Sequence, residues 1–190
     1  MRKLVYFIAC TVDGFIAREN GAFDFFPMSG DHLPYIANEY PETLPTHARQ
    51  AMGVSAENRH FDTVLMGRAT YDVGVSVGVT SPYAHLRQYV VSSTLGSSPD
   101  PAVELVSKDP LAAVRKLKQQ GGMDIWLCGG GKLAAGLFDE IDEVILKINP
   151  VILGSGTPLF QRAEQAVSLD LTDARTFAGG VAIHRYRVVR

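Results

Sequence analysis

The sequence predicts an open α/β fold in which parallel strands end at one common cleft. Three apolar runs of strand length, at residues 62–66, 88–91 and 125–128, are each followed at once by glycine or hydroxyl residues. In open α/β sheets, ligands bind outside the carboxyl ends of the parallel strands. Two further strand-like runs flank Gly179-Gly180 near the carboxyl terminus and predict an antiparallel hairpin.

Composition limits the classes of function. The 190 residues predict a single domain, residues 1–190, and 46% hydrophobic with 20% charged residues is ordinary for a globular protein. A net charge of −2 without any run of like charges argues against a nucleic-acid partner. The apolar run at residues 4–10 is too short for a membrane span or a secretory signal. We therefore expect a cytoplasmic protein that binds a small molecule and has no membrane partner.

The two cysteines, Cys10 and Cys128, lie in separate strand-like runs. Neither belongs to a Cys-x-x-Cys pair or has a histidine at ligand spacing, and no metal site is expected. We interpret both as small buried side chains in a reducing compartment, in preference to a redox role.

Residues 4–9 predict the first strand, because they are rich in β-forming residues and apolar on both faces. The loop at residues 11–17 carries Phe15 and Ile16, which we expect to cover either the core or the face of a flat ligand. Asp13 is predicted to fix this loop through an Asx-type turn.

Residues 23–60 are the least regular part of the chain, because four prolines interrupt any pattern. Two short helices are predicted, near residues 31–39 and from 46 to about 54. Long irregular segments in compact domains tend to be lids or binding walls. Aromatic and soft apolar side chains are concentrated here: Phe23, Phe25, Phe26, Met28, Tyr35 and Tyr40. They could line a ring-binding pocket, but for each one, packing in the core is the favoured interpretation.

Gly67 and Arg68 follow the strand at residues 62–66 and open a predicted helix. The planar guanidinium of Arg68 suits a phosphate group, and a solvated surface arginine is the alternative. Thr70, in the first helical turn, either donates to a ligand or caps the helix.

Hydroxyl groups follow the next strand. Ser92, Ser93 and Thr94 come directly after residues 88–91. We expect these donors in the same cleft as Arg68, because the carboxyl ends of parallel strands meet at one edge of a sheet.

An edge strand and a helix that is interpreted as structural come next. Residues 103–106 predict an edge strand. Asp109 and Pro110 then have the pattern of a helix cap and a first helical residue, and Gly121-Gly122 ends that helix.

Residues 125–138 combine a strand, a glycine turn and the start of a helix. Gly129, Gly130 and Gly131 lack the side chains that would keep a phosphate away from unpaired backbone N–H groups. The same glycines also fit a tight turn without a ligand, and both interpretations stay open on this stretch alone.

A strand at residues 144–148 leads into a glycine-rich loop at 149–160. Residues 167–171 alternate as a half-buried strand does, and residues 181–189 are predicted to pair with them in the closing hairpin.

Four stretches, taken in order, resemble the dihydrofolate reductase-like superfamily, in particular the carboxyl-terminal reductase domain of riboflavin biosynthesis. They are Thr11-Val12-Asp13-Gly14-Phe15-Ile16-Ala17, Met66-Gly67-Arg68-Ala69-Thr70-Tyr71, Val91-Ser92-Ser93 and Gly129-Gly130-Gly131. The loop from Val151 to Phe160 resembles the riboflavin-type branch more than the folate-type branch.

This resemblance implies a mixed, mostly parallel sheet of about eight strands with flanking helices, and NADPH bound across the carboxyl ends of the strands. It also implies a homodimer. By position, three groups of residues would contact the coenzyme: Ala9, Ile16 and Ala17 at the nicotinamide; Gly67, Arg68, Thr70, Ser92 and Ser93 at the adenosine and its 2′-phosphate; and Gly129, Gly130, Gly131, Lys132 and Leu133 at the pyrophosphate, with Cys128 directly before them.

The sequence departs from the family pattern at two places. Cys128 stands where the riboflavin-pathway reductases carry a glutamate, and a thiol cannot accept hydrogen bonds from a ribose in the same way. Folate reductases use an acid on the first helix to hold the pterin and assist protonation. The nearest candidate here is Asp31, for which an N-cap of the following helix is the alternative.

We therefore expect an NADPH-dependent reductase of a small heterocycle, with the proton supplied by Asp31 or a bound water. The alternatives are 5-amino-6-(5-phosphoribosylamino)uracil reductase, dihydrofolate reductase proper, and a nucleotide-binding module without catalysis.

Overall fold

The computed structural model describes residues 1–161 and 166–190 and is built around one eight-stranded sheet. The strands of that sheet are β1 (Leu4–Thr11), β3 (Phe61–Gly67), β4 (Arg87–Val91), β5 (Val103–Val106), β6 (Asp124–Gly129), β7 (Ile141–Asn149), β9 (Leu169–Thr176) and β10 (Ala182–Val188). A separate antiparallel ribbon pairs β2 (Phe15–Ala17) with β8 (Thr157–Pro158).

The strand order is β5-β4-β3-β6-β1-β7-β10-β9. All neighbours from β5 to β7 run parallel, whereas β10 is antiparallel to both β7 and β9. The predicted α/β architecture, a mixed and mostly parallel sheet that closes with an antiparallel hairpin, is therefore confirmed.

Helices cover both faces of the sheet. They are α1 (His32–Glu39), α2 (Thr46–Ala51), α3 (Arg68–Val75), α4 (Pro110–Lys118) and α5 (Gly131–Gly136), with short 3₁₀ turns at Pro41–Thr43 and Phe138–Glu140. One core cluster packs α1 and α3 on one face, and a second packs α4 and α5 on the other. Among residues 1–161 and 166–190, no helix has the length and apolar character needed to cross a bilayer.

The predicted start of α4 is confirmed, and the helix ends at Lys118, three residues before Gly121-Gly122. Asp109 is its N-cap, and the carboxylate accepts a hydrogen bond from the backbone N–H of Ala112 at 2.9 Å. Pro110 is the first helical residue, where its missing N–H leaves no bond unmade.

The irregular segment between β2 and β3 is tied to the sheet by Glu42. This buried carboxylate accepts backbone N–H groups from His60 at 2.7 Å and Phe61 at 2.9 Å. Core packing, the favoured interpretation of the aromatic residues, holds for Phe26 and Tyr40, which are buried. Phe23 and Met28 are instead exposed.

The closing hairpin differs in detail from the prediction. A half-buried strand was expected at residues 167–171, but β9 begins at Leu169 and all of its residues are exposed. The reason is position, because β9 is the outermost strand of the sheet and pairs with β10 only. The turn at Gly179-Gly180 lies between the two strands as predicted.

Candidate active site

A cleft of about 790 Å³ opens at the carboxyl ends of β3, β4, β5 and β6. It lies where the sequence predicted that three strand ends would meet. The residues that line it come from the first turns after these strands and from the β8 region: Gly67, Arg68, Ala69, Asp72, Val91, Ser92, Ser93, Thr94, Val106, Ser107, Lys108, Asp109, Pro110, Gly130, Gly131, Lys132, Leu133, Gly136, Thr157 and Gln161.

Arg68 stands at the start of α3 and faces this cleft together with Asp72. Its Nε donates to both carboxylate oxygens of Asp72, each at 2.7 Å. Within the described residues the two terminal guanidinium nitrogens have no hydrogen-bond partner. Asp72 therefore orients Arg68 and leaves its terminal donors for an anion in the cleft.

The two serines after β4 have different positions. Ser92 is buried, and its hydroxyl accepts the backbone N–H groups of Leu95 at 3.0 Å and Thr94 at 3.3 Å. Ser93 is exposed and lines the cleft. Ser92 therefore shapes the turn, and Ser93 presents a hydroxyl group to the cleft.

Lys108 and Ser107 belong to the cleft and were missed by the sequence analysis. They directly follow β5, which pairs in parallel with β4, so their position obeys the same strand-end rule. The polar residues after the 103–106 run were the available signal. In the sequence, that stretch indicated only the helix cap at Asp109.

In the turn after β6, the backbone conformation or close packing requires glycine at two positions. Gly129 has a φ of +123°, a conformation that other residues rarely adopt, and the peptide bond between Gly129 and Gly130 is cis. A Cβ on Gly131 would collide with the carbonyl oxygen of Pro158 and lie 3.1 Å from that of Leu159. The tight-turn interpretation thus accounts for these two positions, and the cleft still places Gly130 and Gly131 at its wall.

Comparison with known proteins identifies the family. A profile of the RibD C-terminal domain matches residues 2–183. The chain belongs to the RibD C-terminal domain family. The resemblance seen in the four sequence stretches is therefore confirmed. The family is one of NAD(P)H-dependent reductases within the dihydrofolate reductase-like superfamily.

Two uncharacterized proteins of Bacillus subtilis (strain 168) are similar to the chain along nearly their whole length. YwjB is 32% identical over 191 residues, which covers 98% of each chain. YyaP is 30% identical over 193 residues, which covers 95% of this chain and 92% of YyaP.

Solved structures share the fold. A candidate riboflavin biosynthesis protein from Shewanella sp. PV-4 has a TM-score of 0.71 at 25% identity, with 100% of both chains covered. The deaminase/5-amino-6-(5-phosphoribosylamino)uracil reductase of Thermotoga maritima has a TM-score of 0.65 at 17% identity, covering 99% of this chain and 57% of that chain. Dihydrofolate reductase from Enterococcus faecalis, complexed with NADP(H), has a TM-score of 0.62 at 12% identity, covering 99% of this chain and 97% of that one. The last two likenesses show the fold alone.

Within this RibD C-terminal fold, the predicted coenzyme residues fall into three groups. The cleft brings together Gly67, Arg68, Ser92, Ser93, Gly130, Gly131, Lys132 and Leu133. Ile16 and Thr70 lie beside it, since a Cβ on Gly130 would be 3.7 Å from Ile16 Cδ1 and 4.0 Å from Thr70 Oγ1. Ala9, Ala17, Cys128 and Gly129 are not among its lining residues.

Cys128 packs with the core cluster beneath α3 and contacts Tyr83. Burial raises the pKa of its thiol to about 12. Burial likewise raises the pKa of Cys10 to about 11. Both thiols therefore stay protonated at neutral pH, and both are free cysteines.

Asp13 fixes the loop after β1, but not through the predicted Asx turn. Its carboxylate accepts the Thr11 hydroxyl at 2.6 Å and the backbone N–H groups of Leu153 at 3.1 Å and Gly154 at 2.7 Å. These bonds, led by the one from Thr11, lower the pKa of Asp13 to about 2. The loop is therefore closed through Thr11 and also held to the glycine-rich segment before β8.

Asp31, the predicted proton donor, binds the β9–β10 turn. Its carboxylate accepts the backbone N–H groups of Ala178 at 2.9 Å and Gly179 at 3.5 Å. It occupies the N-cap position of α1 but makes no side-chain cap hydrogen bond, so the alternative interpretation as a cap is wrong in that respect. The bond from Ala178, above all, lowers the pKa of Asp31. An exposed carboxylate of lowered pKa is a poor acid, and its catalytic role stays a prediction.

Proposed function

We propose that the protein is an NADPH-dependent reductase of a small heterocycle. The observation that carries this proposal is the cleft of about 790 Å³ at the carboxyl ends of β3 to β6. Its wall combines two strand-to-helix junctions with three cationic side chains, Arg68, Lys108 and Lys132. That combination complements a dinucleotide that carries several phosphate charges.

The lining residues fit both ends of the phosphate-bearing part of NADPH. At Gly130 and Gly131 no side chain keeps a pyrophosphate away from the backbone, and Lys132 adds a positive charge beside them. Arg68 and Ser93, one strand further along, suit the adenosine 2′-phosphate because a dianion requires cations and hydrogen-bond donors.

NADPH, when bound, supplies a hydride to the substrate ring. The residues of the chain orient the two reactants and exclude water. Ile16 on β2 stands beside Gly130, and the bonds of Asp13 hold the neighbouring loop in place. Catalysis then rests chiefly on orientation.

Three alternatives remain to a reductase of unassigned substrate. Two are reductases of a specific substrate, and the third is a nucleotide-binding module without catalysis. The fold likeness to the Thermotoga maritima enzyme motivates 5-amino-6-(5-phosphoribosylamino)uracil as a substrate, and the likeness to the Enterococcus faecalis enzyme motivates dihydrofolate. The engagement of Asp31 by a turn motivates a nucleotide-binding module without catalysis.

Steady-state oxidation of NADPH tests the proposal. The purified protein is assayed with 7,8-dihydrofolate, with 5-amino-6-(5-phosphoribosylamino)uracil and with a panel of other heterocycles, each against an enzyme-free blank. Turnover with any of them supports a reductase. Binding of NADPH without oxidation by any acceptor favours the non-catalytic module, and failure to bind NADPH contradicts both.

We also infer that two copies associate through the outer strand of the hairpin. β9 is an exposed edge strand, and Leu169 and Leu171 are 42% and 55% exposed. Edge strands with apolar residues readily pair with another chain. Sedimentation equilibrium measures the oligomeric state of the wild type and of Leu171→Lys. We expect the wild type to form a dimer and the variant to form a weaker dimer. A monomeric wild type would contradict this inference.

A further inference from the structure

A second group of polar side chains lies on the sheet face that packs against α1. Ala9, Lys147 and Ile183 are paired in register across β1, β7 and β10. Alternate residues of a strand share a face, so Lys147 follows Ile145 on the side that carries the core cluster of α1. Neighbouring strands are about 4.8 Å apart. Lys147 is therefore one strand away from Ala9, which is predicted to face the nicotinamide.

Lys147 has no ionic partner within the described residues. Glu143, two residues before Ile145 on the same strand, is bound by Lys3 at 2.5 Å and by Arg185 Nε at 2.7 Å. Asp31 is bound by the β9–β10 turn. Burial lowers the pKa of the Lys147 ammonium below its ordinary value. The local carboxylates are engaged elsewhere, and the ammonium group stays available.

His32 faces the same region from the first turn of α1. It is 1% exposed, and within the described residues neither ring nitrogen makes a hydrogen bond of normal geometry. The backbone of Pro27 interacts with the ring closely enough to raise the pKa of His32, against the larger effect of burial. His32 precedes Ile36 by one helical turn, so both side chains lie on the inner face of α1. Its ring centroid is 6.2 Å from that of Phe177, edge to face. Burial lowers the pKa of His32, and the charge of Lys147 lowers it further.

Asn149 holds the backbone of this region in place. Its Nδ2 donates to the carbonyl oxygens of Lys147 at 3.0 Å and Cys10 at 3.1 Å, which joins the ends of β7 and β1. Lys147 is therefore supported by a rigid backbone, as binding residues require.

Buried polar atoms without partners reduce the stability of a fold, and most native proteins contain few of them. We propose that His32 and Lys147 are the substrate-binding pair of the reductase and take a planar ring that presents a carbonyl or anionic oxygen. This inference rests on the proposed function, because Ala9 beside Lys147 is the expected position of the nicotinamide.

The donor set decides the class of ring. A lysine ammonium has three donors and no acceptor, and a neutral imidazole has one of each. A ring edge built from several amino groups presents more N–H donors than the single acceptor of the imidazole can satisfy, and the carboxylates of Asp31 and Glu143 are engaged elsewhere. The pair therefore favours rings with oxo groups over rings with an amino edge.

Thermal unfolding of two variants tests this without knowledge of the substrate. Lys147→Met and His32→Leu replace each group by an apolar side chain of similar size, and Lys116→Met on the exposed face of α4 is the matched control. We expect each of the first two to raise Tm by about 2–4 °C, because the polar group of buried His32 or of partly buried Lys147 is replaced by an apolar one. The control should leave Tm unchanged. A fall in Tm for both variants would mean that the two side chains serve the fold and would overturn the proposal.

Chemical labelling of the wild type tests whether a ring reaches Lys147. The probe is 2,4,6-trinitrobenzenesulfonate, a planar anion that reacts with neutral amines, and peptide mapping gives the rate at each lysine. Burial lowers the pKa of Lys147, which increases its fraction of the neutral amine that reacts with the probe. We expect Lys147 to react several times faster than Lys116. Equal or slower labelling would overturn the proposal.

A titration of the same variants with NADPH separates this inference from the proposed function. We expect Lys147→Met and His32→Leu to bind NADPH as the wild type does, within about twofold. A wild type that does not bind NADPH contradicts the proposed function. A wild type that binds NADPH but labels slowly at Lys147 contradicts this inference alone.

Discussion

The cleft at the strand ends and the His32–Lys147 pair are two binding regions built on opposite principles. The cleft is open, and its donors are backbone N–H groups and exposed cations that water satisfies when no ligand is bound. The pair is largely enclosed, because His32 is buried and Lys147 is partly buried, and neither ring nitrogen of His32 has a hydrogen-bond partner in the part of the chain that the structure describes. The open cleft therefore lowers the stability of the folded protein little. The enclosed polar pair lowers that stability more, but it can bind its ligand with greater specificity.

The largest expected effect separates the two regions by activity. Lys147→Met should lower kcat/KM for the best acceptor by about a hundredfold, because hydrogen bonds to charged groups contribute about 1.5–3 kcal/mol. The dissociation constant of NADPH should stay within about twofold. Lys116→Met is the control. A loss confined to NADPH binding would place Lys147 in the coenzyme site, and the cleft and the His32–Lys147 pair would then not be separate binding regions.

The second prediction concerns the wall of the cleft. Gly131→Ala should lower the free energy of unfolding by about 1–3 kcal/mol, because the new methyl group collides with the carbonyl oxygen of Pro158. Gly136→Ala in the same helix meets nothing within 4 Å and should be neutral or stabilising by up to about 1 kcal/mol. Chemical denaturation measures both, and equal effects would mean that β8 does not constrain this turn.

The third prediction concerns selectivity for the coenzyme. Arg68→Ala should raise the dissociation constant of NADPH by about tenfold or more and leave that of NADH nearly unchanged, because only NADPH carries the 2′-phosphate. Asp72→Asn, which keeps an acceptor for Arg68 Nε but removes a negative charge from the wall of the cleft, should tighten NADPH binding by about two- to threefold. Arg87→Ala, at the amino end of β4, is the control. A parallel loss for both coenzymes would contradict the phosphate role.

The smallest expected effect concerns the loop beside the cleft. The lowered pKa of Asp13, about 2, means that its contribution to stability is full above the ordinary aspartate pKa and is lost as the pH falls towards about 2. The difference in Tm between the wild type and Asp13→Asn should therefore be constant from pH 5 to 7, because Asp13 is ionised in both the folded and the unfolded protein at those pH values. The difference should shrink below about pH 4. A difference that grows on acidification would contradict the assigned bonds.

The sequence predicted the cleft better than the enclosed pair because the two differ in how local their signals are. Gly67 with Arg68, and Gly130 with Gly131, each follow a strand directly, so a short stretch contains both the strand end and the donor. Lys108 obeys the same rule and was missed only because β5 was interpreted as an edge strand.

The enclosed pair has no such local signal. Lys147 lies beside Ala9 only because β7 is next to β1 in the sheet, a neighbourhood that separate strand predictions do not define. At the start of α1, Asp31 was the predicted site residue, but its side chain binds the β9–β10 turn, whereas the next residue, His32, is buried. A shift of one residue rotates a helical side chain by about 100°, and the preceding irregular segment gives no means to fix that rotation.

The most direct test of the central claim is a titration of the wild-type protein with NADPH and NADH, followed by the fluorescence of the reduced coenzyme. We predict saturable binding of NADPH that is at least about tenfold tighter than that of NADH, in line with the contacts available to a 2′-phosphate. Absence of binding by either coenzyme would mean that the glycine junctions are only turns, and it would contradict the assignment of the cleft.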